Sequence, residues 1–361
     1  MKGLLLAGGH GTRLRPLTYT GNKHMLPVVN KPILYYGLEQ LKKAGITEIG
    51  IILGPVKEGI EEAIADGSKF GVRVTYINQP EPKGIAHAVG IAEDFIRDDP
   101  FVVYLGDNLL RDSIKPFVEE FQKANWDELL LLSKIDDLAK RKRFGVAHLK
   151  NGKVIRVIEK PEKPEDIASD LVMIGVYMFR SEIFKTIKKL KPSWRNELEI
   201  TDAIQKLIDC GCKVVPRVTT GWWKDTGTSE DILEANRLIL DELKPEIKGT
   251  VEDVASIQGR VSIGPNTTIK KGALIRGPAI IGENSTGENE VYIGPYTSIG
   301  NNVSIKRGEI ENSIIMDGCT VDVDERIIDS LIAPDSKIIS NKNNRPKGKR
   351  YILGERSRVE L

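Results

Sequence analysis

Apolar residues follow two different rhythms along the chain. Over roughly the first 245 residues, short apolar runs alternate with stretches of helical period. KGLLLA (2–7) reads as a short buried strand. PILYYGLEQLKKAG (32–45) opens on Pro32 and closes on two lysines and Gly45. Proline at the start, cations in the last turn and glycine past the end predict a helix of that extent. EIGIIL (48–53) predicts the next strand. A helix around 57–65, a strand at 72–77, a helix near 84–95 and a strand at 101–105 follow. This alternation predicts an α/β domain with a Rossmann-like, mostly parallel sheet covered on both faces. In such sheets ligands bind beyond the carboxyl ends of the strands. The glycine-rich turn after Ala7 and the GDN triplet after Leu105 both fall at such ends.

The second rhythm begins near residue 246. Every sixth position from Ile257 runs Ile263, Ile269, Ile275, Ile281, Gly287, Ile293, Ile299 and Ile305. The register then slips by four and resumes at Ile315, Val321, Ile327, Ala333 and Ile339. A helix of period 3.6 cannot keep six-residue spacing on one face. A coil of short strands can, so the segment predicts a β-helix of hexapeptide repeats. Gly287, within GENSTGENE, is expected to mark a loop bulging from one coil. The expected division is a catalytic domain over 1–245 and a β-helix domain over 246–361, with an exposed basic run at 341–350.

Composition narrows the class without naming it. Net charge is +2 over 361 residues, so no global field points to nucleic acid or a membrane surface. No apolar run approaches the roughly 20 residues of a spanning helix. The apolar stretch at the N-terminus is too short for a signal peptide. Cys210, Cys212 and Cys319 suit neither a disulfide framework nor a zinc site. A reducing, cytoplasmic location is the expectation.

The chemistry concentrates in LAGGHGTRLRPLT (6–18). It has neither the dinucleotide spacing, since position 14 is leucine, nor the GK[ST] of a Walker loop. Gly8, Gly9 and Gly11 leave backbone N–H groups bare, while Arg13, Arg15 and then Lys23 add positive charge. Backbone donors with Arg and Lys make a cradle for several phosphates at once, and a triphosphate suits it better than one phosphate.

The residues at this point resemble a known family. LAGGHGTRLRPLT and NKHMLPVVNKPILYY resemble the signature of the sugar-1-phosphate nucleotidyltransferases, most closely the glucose-1-phosphate thymidylyltransferases. The likeness continues in order through NQPEPKGIAHAV, YLGDNLL, RFGVAHL, VIEKPEKP, IGVYMF, RNELEITDAI and WWKDTGT. With the repeats, the chain is similar to the long form of these enzymes, which carries a C-terminal left-handed β-helix. The resemblance implies transfer of a nucleoside monophosphate, with the sugar phosphate oxygen attacking the α-phosphorus and pyrophosphate leaving in line. Positioning and electrostatics supply most of such a reaction.

The resemblance also implies roles. Leu6, Gly8, Gly9, Gly11, Thr12 and Arg13 match the triphosphate-binding turn, and Lys23 adds charge there. Gln79 and Gly84 match the segment that reads the base, and a Gln amide can both donate and accept on a base edge. Asp107 and Asp225 match the Mg²⁺-binding pair, with Asp107 also counted toward the nucleotide. Asn108, Gly145, Glu159, Lys160, Gly175, Tyr177 and Arg195 match the sugar-phosphate side. Arg13, Lys23 and Lys160 are the expected catalytic residues, and Trp223 is expected to pack beside the metal-bearing loop. His24 stands where glutamine is common in the thymidylyltransferases and is expected to fill space. The expected substrates are dTTP and α-D-glucose 1-phosphate. UTP or another nucleotide with a different sugar is the alternative, because one methyl separates thymine from uracil.

Two other readings are weaker. Some hexapeptide solenoids are acetyltransferases with a histidine base. All four histidines here, His10, His24, His87 and His148, precede the repeats. A nucleotide-binding regulatory subunit would have lost Arg13, Lys23, Asp107 or Lys160, and all are present. The β-helix is expected to stabilise the chain, hold an effector or assemble a homo-oligomer, a dimer or tetramer.

Overall fold

The computed structural model describes residues 1–340 and 354–360, and the chain forms two compact units. One comprises residues 1–11, 20–25 and 33–225, the other residues 12–19, 26–32 and 226 onward. The basic run 341–350 lies outside the described residues.

The first unit is built on a mixed nine-stranded sheet. Phe101–Leu105, Lys2–Ala7, Glu48–Leu53 and Arg73–Asn78 lie side by side in that order and run parallel. Leu171–Phe179 continues the sheet beyond Phe101–Leu105 in the antiparallel sense. It leads on one path to Gly145–Lys150 and the edge strand Lys153–Glu159, and on another to Glu128–Lys134 and Val214–Val218. The parallel strands read as unbroken apolar runs because both faces are covered. Leu4 and Leu6 enter the core beneath helices Ile85–Gly90, Glu182–Ile187 and Ile200–Asp209. Leu5 and Ala7 enter the opposite core, beneath Ile33–Lys43 and Lys115–Lys123.

Two helices differ from the pattern. The one expected near 84–95 is a pair, Ile85–Gly90 and Glu93–Ile96. A Cβ at Gly90 would come within 3.1 Å of the Ile187 side chain. Close packing favours glycine there, and glycine weakens the helix. The helix around 57–65 shortens to Ile60–Ile64, because Gly59 before it is left-handed at φ 79°.

Glu128 is an anomaly in this core. It begins strand Glu128–Lys134, opposite Phe179 and Val214, and is fully buried. Neither carboxyl oxygen has a hydrogen-bond partner among the described residues. Burial pushes its pKa well above the ordinary value, so the fold favours the neutral acid. Such a group supports the fold below its unfolded pKa and costs stability as pH rises toward its folded pKa. Glu128→Leu should therefore stabilise the first unit by about 1–3 kcal/mol near neutrality. The gain should shrink at pH 4–5, as read from urea midpoints at several pH values.

The second unit contains the parallel β-helix. Ser262 pairs with Ile280, Thr268 with Thr286 and Ile275 with Ile293, each partner eighteen residues on. One coil is therefore three six-residue sides. Ile263, Ile269, Ile275, Ile281, Ile293, Ile299 and Ile305 are all buried in its core. The four-residue slip resolves into two five-residue sides, because Ile310 occupies the stack between Ile305 and Ile315 and pairs with Ile293 and Ile327. Gly287 corrects the expectation of a bulging loop. It is buried within strand Thr286–Ile293, pairs with Ile269 and Ile305, and the one-residue bulge follows it. Past Ile327 the sixfold register also fails. Ile332 and Ile338, not Ala333 and Ile339, continue the stacks of Ile315 and Val321, and Ile339 is 58% exposed.

A hairpin from near the N-terminus joins this unit. Strands Pro27–Val28 and Lys31–Pro32 pair across a turn whose Val29 and Asn30 have φ of 50° and 57°, the left-handed values a two-residue hairpin uses. Asn30 Nδ2 donates to Ile299 O at 2.6 Å. Asn236, fully buried on helix Ser229–Leu240, accepts on Oδ1 from Val29 N at 2.9 Å and Ser298 Oγ at 2.7 Å. Its Nδ2 donates to Tyr296 O at 3.0 Å. One amide thus ties hairpin, helix and coil together.

Candidate active site

The site in the first unit grows from the carboxyl ends of Lys2–Ala7 and Phe101–Leu105. Gly106 N donates to Leu6 O at 2.9 Å, which sets Asp107 beside the glycine turn. Lys23 Nζ forms an ion pair with Asp107 Oδ2, with both side chains largely buried. The Lys23 stem packs against Gly9, where a Cβ would lie 3.0 Å from Cε. Burial alone would raise the Asp107 pKa, but the Lys23 ammonium outweighs it and holds the carboxyl below the ordinary carboxylate range.

His24, next in sequence, turns inward. Its backbone N and Nδ1 both donate to Asn22 Oδ1, at 2.8 and 2.6 Å. Asn22 in turn donates to Ala7 O and Val56 O, so it pins the start of the glycine turn. Burial, reinforced by Lys23, lowers the His24 pKa to about 3. A depressed pKa gives stability above the unfolded value that is lost as pH falls. Between pH 7.5 and 5 only the unfolded chain takes up this proton, which costs about 2 kcal/mol. His24→Gln should flatten that part of the stability–pH curve, measured by denaturant midpoints.

A short antiparallel ribbon brings the second acid near the first. Asn108–Leu110 pairs with Trp223–Asp225, and Asp225 stands opposite Asn108, the neighbour of Asp107. Asn108 is the hub. It donates to Asp107 Oδ1 at 2.9 Å and accepts on Oδ1 from Trp223 Nε1 at 2.6 Å and Gly175 N at 3.2 Å. Trp223 lies edge-on to Phe144, as expected of a residue packing by this loop. Arg143 Nη2 approaches Asp225 Oδ2 at 3.8 Å. Asp112 Oδ2 accepts from Gly221 N at 2.6 Å and from Thr220 N and Oγ1 at 3.2 and 3.1 Å, which fixes the approach to Trp223–Asp225. Two carboxylates at one ribbon end fit Mg²⁺, which takes one or two carboxylates and completes its shell with phosphate and water.

A second cluster forms at the end of the edge strand. Lys160 has φ 41°, uncommon for a side-chain-bearing residue, and its N donates to Phe144 O at 3.1 Å. Lys160 Nζ and Arg195 Nη1 both approach Glu159 Oε1, at 3.7 and 3.6 Å. Burial raises the Glu159 pKa, helped by Glu199 and opposed by the two cations. Gly145 lies under Glu159, where a Cβ would be 3.4 Å from Oε2 and 2.9 Å from Thr201 Cγ2.

A third group surrounds Gln79. Its Nε2 donates to His87 Nδ1 at 2.9 Å and to Gly84 O at 3.4 Å, leaving Oε1 toward Gly8. Gly84 has φ 99°, and a Cβ there would stand 2.5 Å from Leu198 O, so only glycine fits. Gly54 closes the floor, since its Cβ would overlap the Gly8 carbonyl oxygen.

Some expected residues stand apart from these groups. Thr12 and Arg13 are exposed on the turn Thr12–Leu14 after Gly11, a segment of the second unit. Tyr177 is buried in the apolar core beside Phe179. Asn22, Gly54, Asp112 and Arg143 carry contacts that sequence reading did not assign. The Asp112 carboxylate acts through two backbone N–H groups more than a hundred residues away, which leaves no local signal.

Parallel strands ending in a glycine turn, paired acids and clustered cations define an enzyme class built to handle nucleotide phosphates. The chain belongs to the nucleotidyl transferase family, whose model matches residues 2–242. It is 44% identical over the full length of both chains to a low-salt glycan biosynthesis nucleotidyltransferase, Agl11, of Haloferax volcanii. It is 43% identical to a glucose-1-phosphate thymidylyltransferase of Streptomyces antibioticus, over 100% of this chain and 99% of that one. Among solved structures it resembles a putative glucose-1-phosphate thymidylyltransferase from Bacillus anthracis. That match has a TM-score of 0.61 and 42% identity and covers 66% of this chain and 94% of the other. No helix among the described residues is long and apolar enough to cross a membrane.

Proposed function

We propose that the protein transfers a thymidylyl group from dTTP to α-D-glucose 1-phosphate, giving dTDP-glucose and pyrophosphate. The observation that carries this reading is the Lys23–Asp107 pair beside Gly9, at the mouth of the glycine turn. Bare N–H groups at Gly8, Gly9 and Gly11 receive the triphosphate, and Lys23, with Arg13 from the adjoining segment, neutralises charge on the leaving phosphates. Gln79 Oε1 offers an acceptor to the imide N–H shared by thymine and uracil. Lys160 and Arg195 hold the sugar phosphate, and Glu159 and Asn108 accept sugar hydroxyls. Asp107 and Asp225 would hold Mg²⁺, which when bound draws charge from the phosphates. Lys23, released from Asp107, then turns to the phosphate oxygens. The attacking oxygen belongs to the substrate and is already anionic, so the protein needs no nucleophile of its own.

The second reading is transfer from UTP or another nucleotide to a different sugar 1-phosphate. The 44% identity to the Haloferax glycan-biosynthesis enzyme favours keeping it open. Pyrophosphate release with Mg²⁺ should be compared for dTTP, UTP, ATP, CTP and GTP, each with glucose, galactose or glucosamine 1-phosphate. Highest kcat/KM with dTTP and glucose 1-phosphate supports the first reading, and another best pair supports the second. No release with any pair overturns both. The proposed compartment is the cytoplasm and the proposed assembly a homo-oligomer.

A further inference from the structure

A groove of about 520 Å³ runs along the edge strand Lys153–Glu159. Residues 155–159 form one wall, and Ser193, Trp194, Glu199, Asp202 and Gln205 form the other. Its size is that of a small-molecule site, roughly 300–1,000 Å³. Trp194 is 80% exposed. By contrast, Trp223 packs on Phe144 and Trp126 lies under Arg217. Although the ring is bare, its backbone is held. Ser193 N donates to Glu197 O at 2.8 Å, Arg195 N to Ser193 Oγ at 3.1 Å, and Ser193 Oγ to Glu199 Oε1 at 2.8 Å. A large apolar surface has been placed and left open.

The charges give the groove a direction. Lys160 and Arg195 converge on Glu159 Oε1 at one end, where an anion is welcome. Glu199 and Asp202 line the other wall, where a phosphate would be repelled but hydroxyls find acceptors. An extended peptide is a poor occupant, because the edge amide of Val157 is already taken by Gln205 Oε1 at 2.9 Å. An anionic end, a row of hydroxyl acceptors and one aromatic plate describe a sugar phosphate.

Resting on the proposed transferase reading, we infer that this groove takes the hydroxyl-bearing ring of the sugar 1-phosphate and that Trp194 lies against its C–H face. Trp194 is then a specificity-determining residue for the acceptor, with Glu159 shared between phosphate end and ring.

The test compares wild type, Trp194→Ala and Trp194→Phe. Exposure of Trp194 means neither change should disturb folding, which thermal midpoints verify. For Trp194→Ala the KM for glucose 1-phosphate should rise about 5- to 20-fold, while the nucleotide KM and kcat stay within about twofold. Trp194→Phe should recover most of the loss. Tryptophan fluorescence of the wild type should respond to glucose 1-phosphate and not to inorganic phosphate, and Trp194→Phe should abolish the response. An active wild type whose sugar KM is untouched by Trp194→Ala overturns this inference alone. A change of oligomeric mass in Trp194→Ala without a change in sugar KM also overturns it, assigning the tryptophan to a protein contact. A wild type inactive with every sugar 1-phosphate overturns this inference and the transferase reading together.

Discussion

Lys23→Met should lower kcat/KM by about 10²–10³ and destabilise the first unit by roughly 2–4 kcal/mol. The two losses have different origins, and a second substitution separates them. In the wild type the ammonium holds Asp107 ionised in a largely buried position. Without it, burial acts alone and the Asp107 pKa rises. The sign of the acid limb then reverses. Wild-type Asp107 gives stability that is lost as pH falls through its depressed pKa, whereas in Lys23→Met the same carboxyl costs stability as pH rises above its unfolded value. Lys23→Met/Asp107→Asn removes the stranded charge, so its denaturant midpoint should return toward wild type. Its turnover should remain low, because the phosphate-facing cation and one metal ligand are both gone. Recovery of activity in the double variant would mean that Lys23 serves only to neutralise Asp107.

Asn236→Ala should cost the second unit about 3–5 kcal/mol, near the top of the range for one substitution. The amide serves three groups in a fully buried position. Its loss leaves Val29 N, Ser298 Oγ and Tyr296 O without their partner and opens a void. Ser298→Ala removes one of those contacts and should cost only about 1 kcal/mol. Asn236→Asp keeps the acceptor but replaces the donor to Tyr296 O with a charge, so it should not rescue. The choice of probe matters. All four tryptophans, Trp126, Trp194, Trp222 and Trp223, lie in the first unit. Tryptophan fluorescence therefore misses the event, and amide exchange across the hairpin at 27–32 and the strand Thr297–Ile299 is the measurement that sees it. Full exchange protection in Asn236→Ala would sink the idea of a clamp.

Both of these residues show what was legible beforehand. Lys23 sits in a motif whose neighbours share its chemistry, and a glycine turn with nearby cations announces an anion without a fold. Asn236 is one polar residue inside an amphipathic helix, and nothing beside it in sequence hints at Val29 or Tyr296. The parallel strands were readable because burial on both faces leaves an unbroken apolar run. The ribbon that pairs Asn108 with Asp225 was not, since its register joins segments over a hundred residues apart. Glu128 was hidden for the opposite reason. The glutamate at the head of an apolar strand reads as a solvated end, and only packing reveals its burial. In the solenoid the sixfold period was plain while every side kept its length. It failed where five-residue sides entered, at Ile310 and again at Ile332 and Ile338.

Those shortened sides bear on how such a chain can grow. Where coils repeat at eighteen residues, each rests on the next through the same pairings, and a duplicated turn would meet a surface identical to the one it was copied from. Beyond Ile293 the repeat falls to sixteen or seventeen residues, and successive turns no longer share one template. A gene lengthened by copying would find open ground in the uniform stretch between Ile263 and Ile281. In the irregular turns after Ile305 the same event would mismatch every ladder above and below it. Natural length variation among relatives should accordingly gather in the uniform coils.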